Sequence, residues 1–125
     1  MRILGSDYDG TFAEGGIGED KLLAVEKWRA AGNKFGIISG RGGDFLQVPR
    51  GVNKAEGLLR VAEHFGIPRE DVIAVGDNGN DMDMIRAFRS YAMENGVCEL
   101  RAAAGAIVGS VTELIMRELR EQTNK

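Results

Sequence analysis

The chain has 125 residues, 43% of them hydrophobic and 28% charged, with a formal net charge of -3 and one cysteine. That suits one ordinary domain, able to bury about two-thirds of the surface its unfolded chain exposes and too apolar to be disordered. No apolar run approaches the ~18–20 residues of a membrane span, no basic excess attracts nucleic acid, and one cysteine supports neither an internal disulfide nor a soft metal site.

Arg2 to Ser6 reads as a buried strand. The apolar residues after Arg2 are too few, and the aspartates beyond them too acidic, for a signal peptide. The strand runs into Asp7-Tyr8-Asp9-Gly10-Thr11. Aspartate is a poor strand residue, so two of them at a strand end are aimed at something. If the extended geometry persists through Tyr8, Asp7 and Asp9 share a face, and two converging carboxylates suit a hard divalent cation such as Mg²⁺. Ala13 to Gly18 is a glycine-rich loop. Glu19 to Ala31 is expected to form a helix, with Leu22, Val25 and Trp28 on its apolar side and acids in its first turn, stopped by Gly32-Asn33.

Lys34 to Ile38 is the second strand, broken by Ser39-Gly40-Arg41-Gly42-Gly43. Leu46 to Val48 can be extended. Lys54 to Phe65 is a helix that buries Leu58, Leu59, Ala62 and Phe65, and Pro68 prevents its continuation. Its only histidine, His64, reads as a surface residue. Val72 to Val75 is a third strand, followed at once by Gly76-Asp77-Asn78-Gly79-Asn80-Asp81. Met82 to Phe88 is a short helix, Ser90 to Met93 a strand, Gly96 to Ala103 a helix with Cys98 as a packing thiol, and Ala106 to Val108 a strand. Ser110-Val111-Thr112-Glu113 is a capping box opening the last helix, whose tail from Gln122 should fray. A lone cysteine fits a reducing, cytoplasmic setting.

Strands alternate with helices, and the strands are solid apolar runs, as expected when both faces are covered. The fold class is α/β, a doubly wound parallel sheet in a single domain, residues 1–125. Ligands of such sheets bind beyond the carboxyl ends of the strands. Three strands end in polar groups suited to phosphate chemistry: Asp7-Tyr8-Asp9-Gly10-Thr11, Ser39-Gly40-Arg41 and Gly76-Asp77. Lys54 opens a helix from which it can reach the same crevice.

These four motifs, in this order, resemble the haloacid dehalogenase superfamily of phosphatases, closest to its Cof-type (IIB) sugar-phosphatase branch. Asp7-x-Asp9-Gly10-Thr11 is similar to the first motif, Ser39-Gly40-Arg41 to the second, Val52-Asn53-Lys54-Ala55 to the third and Gly76-Asp77-Asn78-Gly79-Asn80-Asp81 to the fourth. Ala92-Met93-Glu94-Asn95-Gly96 resembles the segment that follows. The resemblance spans essentially the whole chain. It implies that Asp7 is the nucleophile that attacks phosphorus and Asp9 the general acid and base. It implies Mg²⁺ held by Asp7, the Asp9 carbonyl and Asp77, with the phosphoryl group bound by Ser39, Gly40 and Lys54. Asn80 and Asp81 would form an outer shell, Asn80 and Thr11 also at the phosphate side, Thr11 would tie the first loop, and Arg41 would contact substrate or only cap a helix.

The chain departs from that branch in one respect. Only twelve residues, Gly42 to Asn53, separate Arg41 from Lys54, too few to fold as the branch's cap domain. The expectation is a core whose cap insertion is missing around 42–52 and whose crevice is open. Its partner is a small phosphorylated substrate, with no nucleic acid and no membrane. Either a neighbouring copy covers the crevice in a homo-oligomer, or the enzyme is weak and promiscuous. Two other readings stay open: a weakly active or non-catalytic Mg²⁺- and phosphate-binding core used in assembly or signalling, and a receiver-type signalling domain.

Overall fold

The structure is a computed structural model, and it describes residues 1–39, 46–47 and 54–123; at Tyr8, Asp9, Ser39, Leu46 and Gln47 the backbone alone is described. The stretch where the cap insertion is expected to be missing, 42–52, lies outside the described residues except for Leu46 and Gln47, as do Gly40 and Arg41.

Among the described residues six strands form one sheet: β1 (Ile3–Ser6), β2 (Lys34–Ser39), β3 (Leu46–Gln47), β4 (Val72–Gly76), β5 (Arg89–Met93) and β6 (Ala106–Val108). The order is β3-β2-β1-β4-β5-β6 and every pairing is parallel. Five described α-helices cover it: α1 (Glu19–Ala30), α2 (Lys54–His64), α3 (Met82–Ala87), α4 (Cys98–Ala103) and α5 (Val111–Thr123). No described helix is long and apolar enough to cross a membrane.

Alternation along the central strands sorts the core into two layers. Ile3, Val72 and Ala74 pack with Leu58 and Met84 from α2 and α3. Leu4, Ile73 and Val75 point the other way, onto Trp28 of α1 and Leu114 of α5. Trp28 is wholly buried, which is worth about 2–3 kcal/mol for a side chain of its size, and its Nε1–H donates to the Lys34 carbonyl at 2.7 Å. The sheet runs outward from β1 to β2 on one side and from β4 to β6 on the other. The gap between β1 and β4 is therefore its switch point, and a crevice opens beyond their carboxyl ends.

One glycine sets how close α2 comes to this crevice. A Cβ on Gly5 of β1 would lie 2.7 Å from both methyl carbons of Leu58. Its absence lets α2 sit against the sheet, and Lys54 is one turn before Leu58 on the same helix.

Several expectations need correction. The chain does not stay extended through Tyr8. β1 stops at Ser6, and Tyr8–Phe12 coils into one π-helical turn closed by the Phe12 N–H on the Asp7 carbonyl at 3.2 Å. On α1 the buried stripe is Lys21, Ala24 and Trp28, while Leu22 is 56% exposed. Phe65 is 45% exposed because α2 ends at His64 and the chain turns at Gly66. Cys98 is exposed at the start of α4 rather than packed. α5 does not fray at Gln122: its side-chain amide exchanges two hydrogen bonds with Asn33, at 2.9 and 3.0 Å, and the helix runs to Thr123. Ser110 does accept from the Glu113 amide at 3.1 Å, but Glu113 reaches back one residue further than expected, to the Gly109 amide at 2.6 Å.

Candidate active site

Asp7 is the first residue past β1, yet its N–H still donates to the Val75 carbonyl of β4 at 3.1 Å. Its backbone is thus held by the switch-point strands, and its carboxylate enters the crevice. The Lys54 ammonium, from the first turn of α2, donates to Asp7 Oδ1 at 2.8 Å and to Asp81 Oδ1 at 2.6 Å. All three side chains are largely buried, Asp81 completely. The other oxygen of Asp81 accepts from the backbone amides of Asp77 and Asn78, at 3.1 and 3.2 Å. Asp81 is therefore fully engaged. It aims Lys54 and fixes the loop after β4.

Asp77 stands at the end of β4, across the switch point from Asp7. Thr11, fully buried, donates its hydroxyl to Asp77 Oδ1 at 3.1 Å and so links the first loop to the fourth. The residue before Thr11 must be glycine. Gly10 has φ +73°, and a Cβ there would fall 1.9 Å from Asp77 Oδ2.

Asp7, Asp77 and Asp81 each offer an oxygen within 4.8 Å of the others. One oxygen of Asp7 is taken by Lys54 and one of Asp77 by Thr11, while the second oxygen of each accepts from no described donor. Two carboxylates with an oxygen to spare make a hard donor set that fits Mg²⁺. The electrostatics agree. Burial pushes the Asp7 carboxyl above its ordinary range; Lys54 pulls it back and Asp77 pushes it further. Burial likewise raises Asp81 against the pull of Lys54. Burial draws the Lys54 ammonium down, but its hydrogen bonds to Asp7 and Asp81 outweigh this and leave it raised, so it stays charged. Three carboxylates around one ammonium leave an excess of negative charge that a cation would neutralise.

The structure thus brings Asp7, Thr11, Lys54, Asp77 and Asp81 together. Asp9 lies in the π-helical turn two residues after Asp7, and Ser39 closes β2 beside β1; their side chains, with Gly40 and Arg41, lie outside the described residues. Asn80 is exposed and hydrogen-bonds no other described side chain. Two contributors were not foreseen. Asn95, just beyond β5, donates its amide to the Gly10 carbonyl at 3.0 Å. Its signal was its place after a strand's carboxyl end, where the other site residues also stand. Lys21 holds the loop that follows the π-helical turn. Nothing in its surroundings in the sequence separates it from a solvated helix-face lysine.

Known proteins share this fold. A 3-deoxy-D-manno-octulosonate 8-phosphate phosphatase from Moraxella catarrhalis, solved with magnesium and phosphate ions, superposes with a TM-score of 0.85 over 99% of this chain and 88% of that one, at 19% identity. At that identity the match speaks for the fold. In sequence, a 5-amino-6-(5-phospho-D-ribitylamino)uracil phosphatase of Escherichia coli is 42% identical over 75 residues, covering 59% of this chain and 27% of that one. A phosphoglycolate phosphatase of Halorubrum lacusprofundi is 31% identical over 109 residues, covering 83% of this chain and 48% of that one. The chain thus spans about a quarter to a half of the length of these curated relatives. The family model for haloacid dehalogenase-like hydrolases matches residues 42–114. With the parallel sheet, the switch-point crevice and the paired Asp7 and Lys54, this places the chain in the haloacid dehalogenase-like hydrolase family.

Proposed function

We propose that the chain is a Mg²⁺-dependent phosphomonoester hydrolase working through an aspartyl-phosphate on Asp7. The observation that carries this is the Lys54 ammonium lodged between Asp7 and Asp81 beside Asp77, because an anionic nucleophile meets a phosphate only where positive charge is concentrated.

An Asp7 oxygen attacks phosphorus, and the bond from phosphorus to the leaving oxygen breaks as that oxygen takes the Asp9 proton. Asp9, now a carboxylate, accepts a proton from water. The water oxygen attacks the same phosphorus, the bond to Asp7 breaks, and phosphate leaves with Asp7 restored. Lys54 neutralises a phosphoryl oxygen, and Ser39 and the Gly40 amide bind the others. Asp7, the Asp9 carbonyl and Asp77 would hold the cation, which when bound offsets the charge that builds on the phosphoryl oxygens. Asp81 keeps Lys54 aimed, and Thr11 keeps the turn carrying Asp9 tied to Asp77.

The substrates are small phosphate esters, sugar phosphates among them, in line with the names of the relatives. Twelve residues between Arg41 and Lys54 are too few for a folded cap, so selection falls to a neighbouring copy covering the crevice or is weak. The test is hydrolysis of p-nitrophenyl phosphate with and without Mg²⁺, by the parent and by Asp7→Asn. Turnover in the parent that needs Mg²⁺ and vanishes in Asp7→Asn supports the reading. No turnover in the parent overturns it, and equal turnover in both overturns the role of Asp7.

A further inference from the structure

Lys21 is a lysine in the wrong place for an ordinary role. It lies in the first turn of α1, where the helix dipole disfavours a cation. It is only 7% exposed, and lysines are almost never buried unless paired. Its ammonium forms no ion pair with a carboxylate among the described residues. Instead it donates to three backbone carbonyls: Phe12, Glu14 at 2.9 Å and Gly16 at 2.9 Å. An ammonium has three N–H donors, and all three are used within one loop. The ring of Phe12 adds a face 5.5 Å from Nζ.

The loop has little else to hold it. Residues 14–18 are exposed, Gly15 and Gly16 have positive φ, and a Cβ at either would meet nothing within 4 Å. Two local bonds, from Glu14 N–H to Thr11 and from Gly16 N–H to Ala13, shape it without fastening it to the rest of the fold. Lys21 is the fastening, and it grips where the catalytic turn ends. Phe12, whose carbonyl it takes, gives its N–H to the Asp7 carbonyl and so closes the five-residue turn that carries Asp9 and Thr11. A shift at Phe12 is therefore passed to Asp9.

We propose that Lys21 is a positioning residue for the turn carrying Asp9, acting through the carbonyls of Phe12, Glu14 and Gly16. This rests on the phosphatase reading above. Its effect falls on the chemical step. Phosphate binding draws on Lys54 of α2, which packs on the opposite face of the sheet from α1. Lys21→Met keeps the stem and removes the donors. A displacement of the turn near 1 Å costs about a hundredfold in rate. The expected result is a kcat on p-nitrophenyl phosphate about a hundredfold lower with KM within about threefold of the parent. Lys21→Arg, which keeps charge and donors, should restore most of the loss. A folded Lys21→Met with kcat within twofold of the parent, or with the whole defect in KM, overturns the proposal. Should Lys21→Met not fold, Lys21→Gln, with two donors and no charge, gives the same reading. Should the parent itself show no turnover, the phosphatase reading is what fails. Hydrogen exchange at the Glu14 and Gly16 amides then decides the fastening: faster exchange in the Lys21 variant supports it, and unchanged exchange overturns it.

Discussion

The sheet carries a cluster of charges at each end, and the two are built on opposite terms. At the carboxyl ends of β1 and β4, Asp7, Asp77 and Asp81 cluster, and one ammonium, Lys54, pairs with Asp7 and Asp81. At the other end, where β1 and β5 begin, the fully buried carboxylate of Glu118 is enclosed by donors. Arg2 reaches it at 2.6 Å, Arg89 at 2.9 Å, and the Tyr91 hydroxyl donates to it as well. Glu121 completes the pairing of the two arginines. The second cluster is balanced and internally satisfied, which is how a buried charge is tolerated. The first has negative charge to spare. The fold neutralises a buried carboxylate at one end and leaves two carboxylates in excess of the ammonium at the other, the charge balance that the proposed cation would correct.

The sharpest way to break this contrast is to mutate each end and read both activity and stability. Asp7→Asn should abolish turnover, by at least about a thousandfold, since the proposed nucleophile is gone. Without divalent cation it should not lower the melting temperature, because like-charge repulsion is relieved. Glu118→Gln should do the reverse. It leaves two guanidiniums short of their partner, costs about 3–5 kcal/mol in denaturant unfolding, and leaves kcat of the folded fraction unchanged. If Glu118→Gln is as stable as the parent, the balanced cluster is not what holds that end together.

Metal gives a third comparison. Mg²⁺ at about ten times its Kd should stabilise the parent by about 1.4 kcal/mol, several degrees in melting temperature, and Asp77→Asn should lose that gain. A gain that survives Asp77→Asn places the cation elsewhere.

The smallest effect is at high pH. Burial first, then the Glu118 carboxylate, push the Tyr91 phenol up from 10.0 to about 12. The unfolded chain ionises this phenol first, so its contribution to stability is whole below pH 10 and falls away as pH rises from 10 through about 12. Tyr91→Phe should give a shallower loss over that window than the parent does. Equal slopes would mean that the phenol does not sense Glu118.

The sheet and the position of its motifs were legible in the sequence because they rest on chain-local signals: apolar runs for strands, helical spacing, and polar residues where strands end. The grouping of Asp7, Lys54 and Asp77 followed from those signals once the sheet was taken as parallel. What was not legible depends on partners distant in the sequence. Leu22 and Phe65 have the right composition for a core face, but where each helix settles on the sheet turned the buried stripe to Lys21, Ala24 and Trp28. Lys21 and Glu118 look like solvated charges until the carbonyls of the first loop and the arginines of two strands are brought to them. The π-helical turn after Asp7 was missed because nothing in Asp-Tyr-Asp-Gly-Thr forbids an extended chain. The turn is closed by the Phe12 N–H on the Asp7 carbonyl and tied across the site by Thr11 to Asp77.

That last bond has a consequence for the order of events in folding. Thr11 and Asp77 are 66 residues apart, Lys54 and Asp7 are 47 apart, and Lys54 and Asp81 are 27 apart. The loop after β4 and the turn after Asp7 have local hydrogen bonds of their own, but each of these three contacts between segments waits for a large loop to close. Helical signal should therefore return early on refolding and turnover last, so that recovered activity times the final docking of β1 against β4.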